Sequence, residues 1–260
     1  MNKLSSDSRW GHALAALGET RPDSLADVLG QLPANACHEL LARGKEDEAS
    51  LFGFGAMLAA MLAGDLPCFF VRPLRRNAGL LYPPGLAGFG IDPAYCFSVH
   101  APDLLAALKA TADIARSGAA GAVLVEVEGN PRLLDLTASR RLALAAEKSG
   151  TAVLLLRLGG WATVSAAYSR WQVASAPSTP LLAEAPGGPA FEITLLRHRR
   201  MAAGQSARLV WNEQEQKFYE QDAAHKKQDG PQRDAGKTAF GAAFSLVTRR
   251  AADQDTRRAA

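Results

Sequence analysis

A loop of charged residues follows the first apolar run of the chain, where many α/β proteins bind the phosphates of a nucleotide. Residues 41–50 include a Gly-Lys pair but lack the G-x-x-x-x-G-K-[ST] spacing of a phosphate-binding loop. The acids Glu46, Asp47 and Glu48 follow that pair in place of the hydroxyl residue that would meet magnesium. Because carboxylates at a helix N-terminus satisfy the helix dipole themselves, the pattern predicts that this loop does not hold phosphate.

Two glutamates, Glu126 and Glu128, lie at the end of the apolar run 121–127. Their i, i+2 spacing places both carboxylates on one face of a strand, as a pair that binds a divalent cation would require. Without a phosphate loop to complete the site, we interpret them as the point where the strand reaches solvent. A second hypothesis stays open: an ATPase with an atypical site, in which Lys45 acts on the nucleotide and Glu126 on the metal.

The other nucleophilic and metal-binding side chains do not form a catalytic pattern. His38 follows Cys37 directly, so in a strand the two side chains point to opposite faces and do not act as base and nucleophile. No serine lies in a G-x-S-x-G motif. The three cysteines, at positions 37, 68 and 96, include no C-x-x-C pair. The sequence therefore predicts no catalytic residue, no metal site and no cofactor.

Basic residues form local clusters, although the formal net charge is only +3, from 29 Lys and Arg against 26 Asp and Glu. Such clusters suit phosphate backbones or acidic partner surfaces. The low net charge does not require nucleic acid as the partner, and direct DNA binding stays open. The predicted contact residues for a partner or nucleic acid are Arg197, Arg199, Arg200, Arg249 and Arg250.

Short apolar runs alternate with longer helical stretches between residues 37 and 158, a pattern typical of a mostly parallel α/β sheet flanked by helices. The runs 122–125 and 153–156 are apolar on both faces, as strands covered by helices on both sides are. Glycines at 64, 118 and 150 follow the helical stretches, where a left-handed C-cap favours Gly. The predicted strands are 37–41, 68–72, 95–100, 121–127 and 152–158, and the predicted helices are 50–63, 102–117 and 134–148.

The pattern changes after residue 160. Runs with better alternation, at 171–174, 191–196 and 207–211, are separated by prolines and glycines and predict an antiparallel β extension of the sheet. We therefore expect three parts: an N-terminal helical appendage and linker at 1–35, an α/β core with its β extension at 36–220, and a mostly disordered charged tail at 221–260.

Three absences bear on location. The first residues include no continuous apolar segment typical of a signal peptide, and no window of roughly 18 uncharged apolar residues is present. The cysteines do not form an even-numbered disulfide framework. We expect a cytoplasmic protein with no membrane contact.

Four segments resemble the ImuA family of the alphaproteobacterial type. Together they fall between residues 36 and 212, within most of the predicted folded part. The segments are L-D-L-T-A-S-R-R-L at 134–142 with A-A-E-K-S-G at 145–150, L-Y-P-P-G-L at 81–86 with G-I-D-P at 90–93, S-A-A-Y-S-R-W at 165–171 with A-S-A-P-S at 174–178, and C-H-E at 37–39.

The resemblance implies a RecA-like core and an accessory role in damage-induced mutagenesis, the translesion synthesis branch of the SOS response. ImuA proteins act with ImuB, a catalytically inactive relative of Y-family polymerases, and with an error-prone polymerase III alpha-type subunit. The implied partners are thus ImuB, that polymerase subunit, RecA and DNA, and the implied location during action is the nucleoid. Because ImuA is also related to SulA-type proteins, a cell division inhibitor is a further alternative.

The chain departs from RecA at two positions. It lacks the phosphate loop at 43–50, and Arg157 and Leu158 stand where RecA has a glutamine-type residue that senses nucleotide. A fold that keeps its packing without a nucleotide site acts through its surfaces. The primary hypothesis is therefore a non-enzymatic scaffold, with the region from residue 197 onward as its contact region.

Overall fold

A sheet of nine strands forms the centre of the protein in the computed structural model, which describes residues 22–74, 79–181 and 185–221. The strands are Cys37–Ala42 (β1), Cys68–Pro73 (β2), Cys96–Ala101 (β3), Ala122–Glu128 (β4), Ala152–Leu158 (β5), Ser169–Ala176 (β6), Ala190–His198 (β7), Ser206–Asn212 (β8) and Lys217–Glu220 (β9). Their order across the sheet is β3-β2-β4-β5-β1-β6-β7-β8-β9. The predicted fold class, a mostly parallel sheet with an antiparallel C-terminal extension, is confirmed.

Helices cover both faces of the sheet. They are Leu25–Gly30 (α1), Glu48–Ala63 (α2), Pro83–Ala87 (α3), Leu104–Ser117 (α4) and Leu136–Ser149 (α5). α2 packs in one apolar core with the side chains of one sheet face, and α4 and α5 pack in a second core on the other face. No helix within the described ranges is long and apolar enough to cross a membrane.

The parallel half of the sheet follows the sequence pattern closely. β4 and β5 lie side by side in the middle of this half, and every residue of β5 is buried. Burial on both faces is what their continuous apolar runs predict. α4 and α5 end at Gly118 and Gly150, whose φ angles of 67° and 81° lie in the left-handed region, so these two predicted C-caps are confirmed.

β6 joins the parallel and antiparallel halves. It pairs parallel with β1 and antiparallel with β7, and its register with β7 shifts between Arg170 and Trp171. β7, β8 and β9 continue the antiparallel pairing. β9 was not predicted, because its sequence K-F-Y-E is short and half charged.

The N-terminal segment contributes to the core from Leu25 onward, although residues 1–35 were predicted as an appendage. α1 begins after Ser24, whose hydroxyl caps the helix, and its Val28 and Leu29 are buried in the same core as α2. The backbone N–H of Leu25 donates to Glu220 on β9 at 3.0 Å. The physical reason is that a short helix with three apolar residues on one face covers the end of the antiparallel extension.

A connection without regular structure, residues 159–168, links β5 to β6. Since β1 lies between these two parallel strands, the connection crosses the face of the sheet that carries α5. We call residues 159–168 the crossover segment.

Candidate functional site

The side chain of Asp47 holds the loop at the phosphate-binding position in place. After β1 the chain makes a short 3-10 turn, Lys45–Asp47, and α2 begins at Glu48. Asp47 is 2% exposed, and its Oδ1 accepts hydrogen bonds from the backbone N–H of Ser175 at 2.7 Å and from the Ser175 hydroxyl at 2.8 Å. Asp47 therefore ties the loop to β6.

A second contact joins the same loop to β7. The Arg43 guanidinium lies 2.8 Å from the carboxylate of Glu192, and both side chains are about half exposed. Acidic neighbours, chiefly Glu192 through its hydrogen bond, raise the pKa of Arg43. Arg43, one of the two cations of this loop, is thus already paired with carboxylates of the protein.

Glu126 does not lie where β4 reaches solvent, so the interpretation of Glu126 and Glu128 as a solvated pair is wrong for the first residue. Glu126 is 6% exposed and pairs with Arg72 on the neighbouring strand β2, with Nε and Oε1 2.7 Å apart. The pairing of β2 with β4 brings the two side chains together. Only Glu128 of the pair is exposed. The described residues include no group of three or more His, Cys, Asp or Glu side chains arranged to hold a metal ion.

Arg197, Arg199 and Arg200 lie together at the end of β7 and are exposed. Arg197 donates from Nη1 to the carbonyl of Ser165 at 2.6 Å. The Arg199 guanidinium lies 5.5 Å from the centre of the Tyr168 ring, within the range of a cation–π contact. The other two predicted contact residues, Arg249 and Arg250, and nearly all of the predicted tail lie outside the described residues.

A cleft of about 310 Å³ opens beside this basic cluster. It lies at the amino-terminal ends of β1 and β6, at the edge opposite the phosphate-loop position. Arg199 and Arg200 line one side and Glu147 of α5 lies on another, so the wall carries both signs of charge. The remaining lining residues are Gln31, Pro33, Asn35, Ala36, Cys37, Ala143, Ala166 and Tyr168.

His38 packs edge-on against Tyr168, with ring centres 5.9 Å apart, and is part of a hydrogen-bond chain. Its Nε2 lies 3.0 Å from the Pro33 carbonyl, which only accepts, so Nε2 carries the proton. The Ser169 hydroxyl then donates to Nδ1 at 2.8 Å and accepts from the Trp171 indole N–H at 2.9 Å. Burial lowers the pKa of His38 to about 4. The imidazole is therefore neutral, and hydrogen bonds occupy both of its ring nitrogens.

Cys37, the residue next to His38, is also buried and its thiol is unreactive. Cys37 is 1% exposed and belongs to the core on the α4 and α5 face. Burial, with a smaller effect of Glu39, raises the pKa of the Cys37 thiol far above its usual range. The predicted separation of Cys37 and His38 onto opposite faces agrees with these environments.

A buried ionic network between β1, β5 and β6 was not predicted from the sequence. Glu39 is 0% exposed, and its two carboxylate oxygens bind different partners. Oε1 accepts from Arg157 Nη1 at 2.7 Å, whereas Oε2 accepts from Arg170 Nε at 2.8 Å and from the Ser165 hydroxyl at 2.9 Å. A charged residue inside each of two apolar runs was the available signal, since a buried charge requires a partner.

The two arginines extend the network to the loops above the sheet. Arg157 donates from Nη2 to the Gly129 carbonyl at 2.9 Å and to the Asn130 side chain at 2.5 Å. Arg170 donates from Nη2 to the Thr163 carbonyl at 2.5 Å. The network therefore fixes the crossover segment and the loop after β4 to the sheet.

Comparison with known proteins supports the family expected from the sequence motifs. The chain is 34% identical over 163 residues to the protein ImuA of Caulobacter vibrioides, in strain NA1000 and in strain ATCC 19089 alike. The similarity to the ImuA family is confirmed. The match covers 58% of this chain and 64% of the Caulobacter protein, so the chain spans just under two thirds of the relatives it matches. No family model matches the chain.

The fold is similar to that of a RecA-type recombinase. A crystal structure of the RadB recombinase superposes with a TM-score of 0.50 at 13% sequence identity, covering 75% of this chain and 96% of the other. At this identity the likeness concerns the fold alone, and the expected RecA-like core is confirmed.

Three of the four segments that resemble ImuA meet at the crossover segment. Segment 37–39 supplies Glu39, and segment 165–171 supplies Ser165 and Arg170. Segment 134–142 supplies Ser139, whose hydroxyl accepts from the backbone N–H of Ala166 at 3.1 Å. Motifs far apart in the chain thus meet in the buried contacts that hold the crossover segment.

Proposed function

We propose that this chain is a non-enzymatic accessory scaffold in damage-induced mutagenesis that binds an ImuB-type, polymerase-like protein. The similarity to ImuA supports a role in damage-induced mutagenesis. The RecA-like fold supports a rigid core whose surfaces can bind other proteins. The observation that carries the non-enzymatic part is the Asp47 carboxylate, bound to Ser175 at 2.7 Å and 2.8 Å within the phosphate-loop position. A nucleotide phosphate there would meet the carboxylates of Glu46 and Glu48 beside Lys45, whereas a phosphate-binding loop offers free backbone N–H groups without such carboxylates.

The basic cluster of Arg197, Arg199 and Arg200 is the proposed contact region for the partner. These side chains are exposed at the edge opposite the phosphate-loop position and adjoin the cleft. Arginines at the rim of a concave site bind carboxylates through paired hydrogen bonds. Arg249 and Arg250 extend this proposed basic surface along the chain. The proposed further partners are the error-prone polymerase subunit, RecA and DNA. The proposed location is the cytoplasm, with the protein at the nucleoid when it acts.

Co-purification tests this proposal. The tagged full-length protein and a version ending at residue 221 are isolated in parallel from cells after DNA damage, with mass spectrometry as the readout. We expect ImuB or polymerase subunits with the full-length protein and less of them with the truncated one. Full recovery with the truncated protein would place the interface on the core. Recovery of a division protein instead, or of no partner, would overturn the proposal.

A thermal shift with millimolar Mg-ATP tests the ATPase alternative built on Lys45 and Glu126. A ligand at 100 times its dissociation constant stabilises a folded protein by about 2.7 kcal/mol. We expect no shift, because Glu126 is paired with Arg72 at 2.7 Å. A clear ATP-dependent rise in the unfolding temperature would contradict the non-enzymatic part of the proposal.

A further inference from the structure

We propose that the crossover segment and the loop after β4 form a docking surface for an apolar, acid-flanked segment of the protein partner. The surface, called here the crossover surface, consists of Leu133, Leu136, Trp161 and Val164. Their exposed fractions are 51%, 50%, 69% and 75%, large values for apolar side chains. The inference rests on the proposed function, because it names where the proposed partner binds.

The two segments that carry these side chains run next to each other. At one end, a Cβ on Gly160 would lie 2.6 Å from the Gly129 carbonyl, so only glycine permits this close approach. At the other end, the backbone N–H of Ala166 donates to Ser139. Residues 161–165 are therefore held alongside residues 130–138, and Trp161 and Val164 share one surface with Leu133 and Leu136.

Arginines fix this surface from below. Arg157 holds Gly129 and Asn130, Arg170 holds the Thr163 carbonyl, and Arg197 holds the Ser165 carbonyl. Two of these arginines are bound in turn by the buried Glu39 carboxylate. A surface whose backbone is already ordered loses little entropy when a partner binds.

The chemistry of the exposed side chains points to a protein partner. Exposed tryptophan is enriched among the residues that contribute most to protein–protein affinity, where an apolar ring fills a pocket of the partner. Three of the four side chains are aliphatic, and aliphatic side chains offer no stacking platform for bases. The crossover segment itself contains no Lys or Arg, and the loop after β4 adds a single one, Arg132, fewer than binding to a phosphate backbone usually requires.

Two arginines next to the crossover segment indicate the charge of the partner segment. Arg197 contacts the crossover segment at Ser165, and Arg199 lies over Tyr168 at its end. The arginines therefore lie at the far end of the crossover segment from Trp161, and a partner segment that runs along it is apolar at one end and acidic at the other. The tail of this chain does not fit that description, because residues 222–260 contain eight Lys and Arg against five Asp and Glu.

A double substitution tests the crossover surface. Trp161→Ala with Val164→Ala removes the two most exposed side chains of the surface without touching the buried network. The matched control is Leu80→Ala with Tyr82→Ala, which removes side chains of similar exposure, 75% and 63%, from the segment between β2 and β3. Purified ImuB of the same organism is titrated into each protein by calorimetry, and the unfolding temperatures are compared first.

We expect the Trp161 and Val164 variant to bind ImuB at least about tenfold more weakly than wild type, and the control to bind as wild type does. If wild type binds ImuB and both variants bind equally well, the crossover surface is wrong and the proposed function stands. If wild type does not bind ImuB, the crossover surface and the proposed function are both wrong. A fluorescent single-stranded oligonucleotide is titrated in parallel, and loss of its binding alone would assign the surface to nucleic acid and overturn the inference.

Discussion

The Glu39 carboxylate and the Arg157 guanidinium form an ion pair 2.7 Å long in which the two side chains are 0% and 1% exposed. Nη2 of Arg170 lies 2.6 Å from Oε2, the other oxygen of the same carboxylate. A buried carboxylate shared by two arginines is stable only while all three are present, because a single unpaired charge in the interior is costly. The Glu39 carboxylate thus links Arg157, which holds the loop after β4, to Arg170, which holds the crossover segment.

Removing one member of this pair should destabilise the protein strongly. We expect Arg157→Ala to lower the free energy of unfolding by about 3–5 kcal/mol, since Glu39 keeps its charge and loses a partner. Chemical denaturation at neutral pH measures the change. Arg140→Ala, at an exposed position of α5, serves as the control with an expected change of about 0.5 kcal/mol or less. Equal effects of the two substitutions would contradict the assigned role.

The neutral His38 makes stability depend on pH. Its pKa of about 4 in the folded protein lies below the value of about 6.5 expected for the unfolded chain. The unfolded state therefore binds the proton first as the pH falls. Stability is complete above pH ~6.5 and decreases by about 3 kcal/mol as the pH falls through 4.

His38→Gln tests that dependence, because Gln keeps a donor for the Pro33 carbonyl but does not titrate. We expect the free energy of unfolding to fall less steeply between pH 6.5 and 4 in this variant than in wild type. Parallel pH profiles for wild type and His38→Gln would refute the buried neutral imidazole.

β9 should contribute to the core despite its four residues. Phe218 is 5% exposed and stacks on Phe54, with ring centres 4.8 Å apart. We expect Phe218→Ala to lower the free energy of unfolding by about 3–5 kcal/mol. Tyr219→Ala removes the neighbouring, 46% exposed ring and should cost about 1 kcal/mol or less. Denaturation curves that place both variants close to wild type would show that β9 is dispensable.

Charge reversal tests the basic cluster. Arg199→Glu with Arg200→Glu should weaken ImuB binding about tenfold or more at low salt, and the loss should shrink as salt is added. The control is Arg140→Glu with Arg141→Glu, which changes the net charge by the same amount at two exposed positions of α5. Fluorescence anisotropy with labelled ImuB measures both. If the two pairs weaken binding to the same degree, net charge rather than this cluster attracts the partner.

Much of the sheet was predictable because its strands carry a local signal. β5 matches its predicted bounds, residues 152–158, since a run that is apolar on both faces is recognisable without its neighbours. β9 and the burial of α1 were not predictable in this way. Each is short, and its place in the core depends on the other through the contact of Leu25 with Glu220.

The candidate site was predictable only in its exposed part. A run of basic residues after a strand identifies Arg197, Arg199 and Arg200 without knowledge of the fold. The partners of Glu39 cannot be read from spacing, because Arg157 lies 118 residues away and Arg170 lies 131 residues away. Glu126 was assigned to solvent for the same reason, since Arg72 reaches it only through the pairing of β2 with β4.

The most direct test of the account is a calorimetric titration of purified ImuB into the full-length protein, without nucleotide and with millimolar Mg-ATP. We expect a complex in both conditions with the same dissociation constant, because the proposed binding uses the crossover surface and the basic cluster and not the phosphate-loop position. A complex that forms only with Mg-ATP, or no complex in either condition, would contradict a nucleotide-independent scaffold.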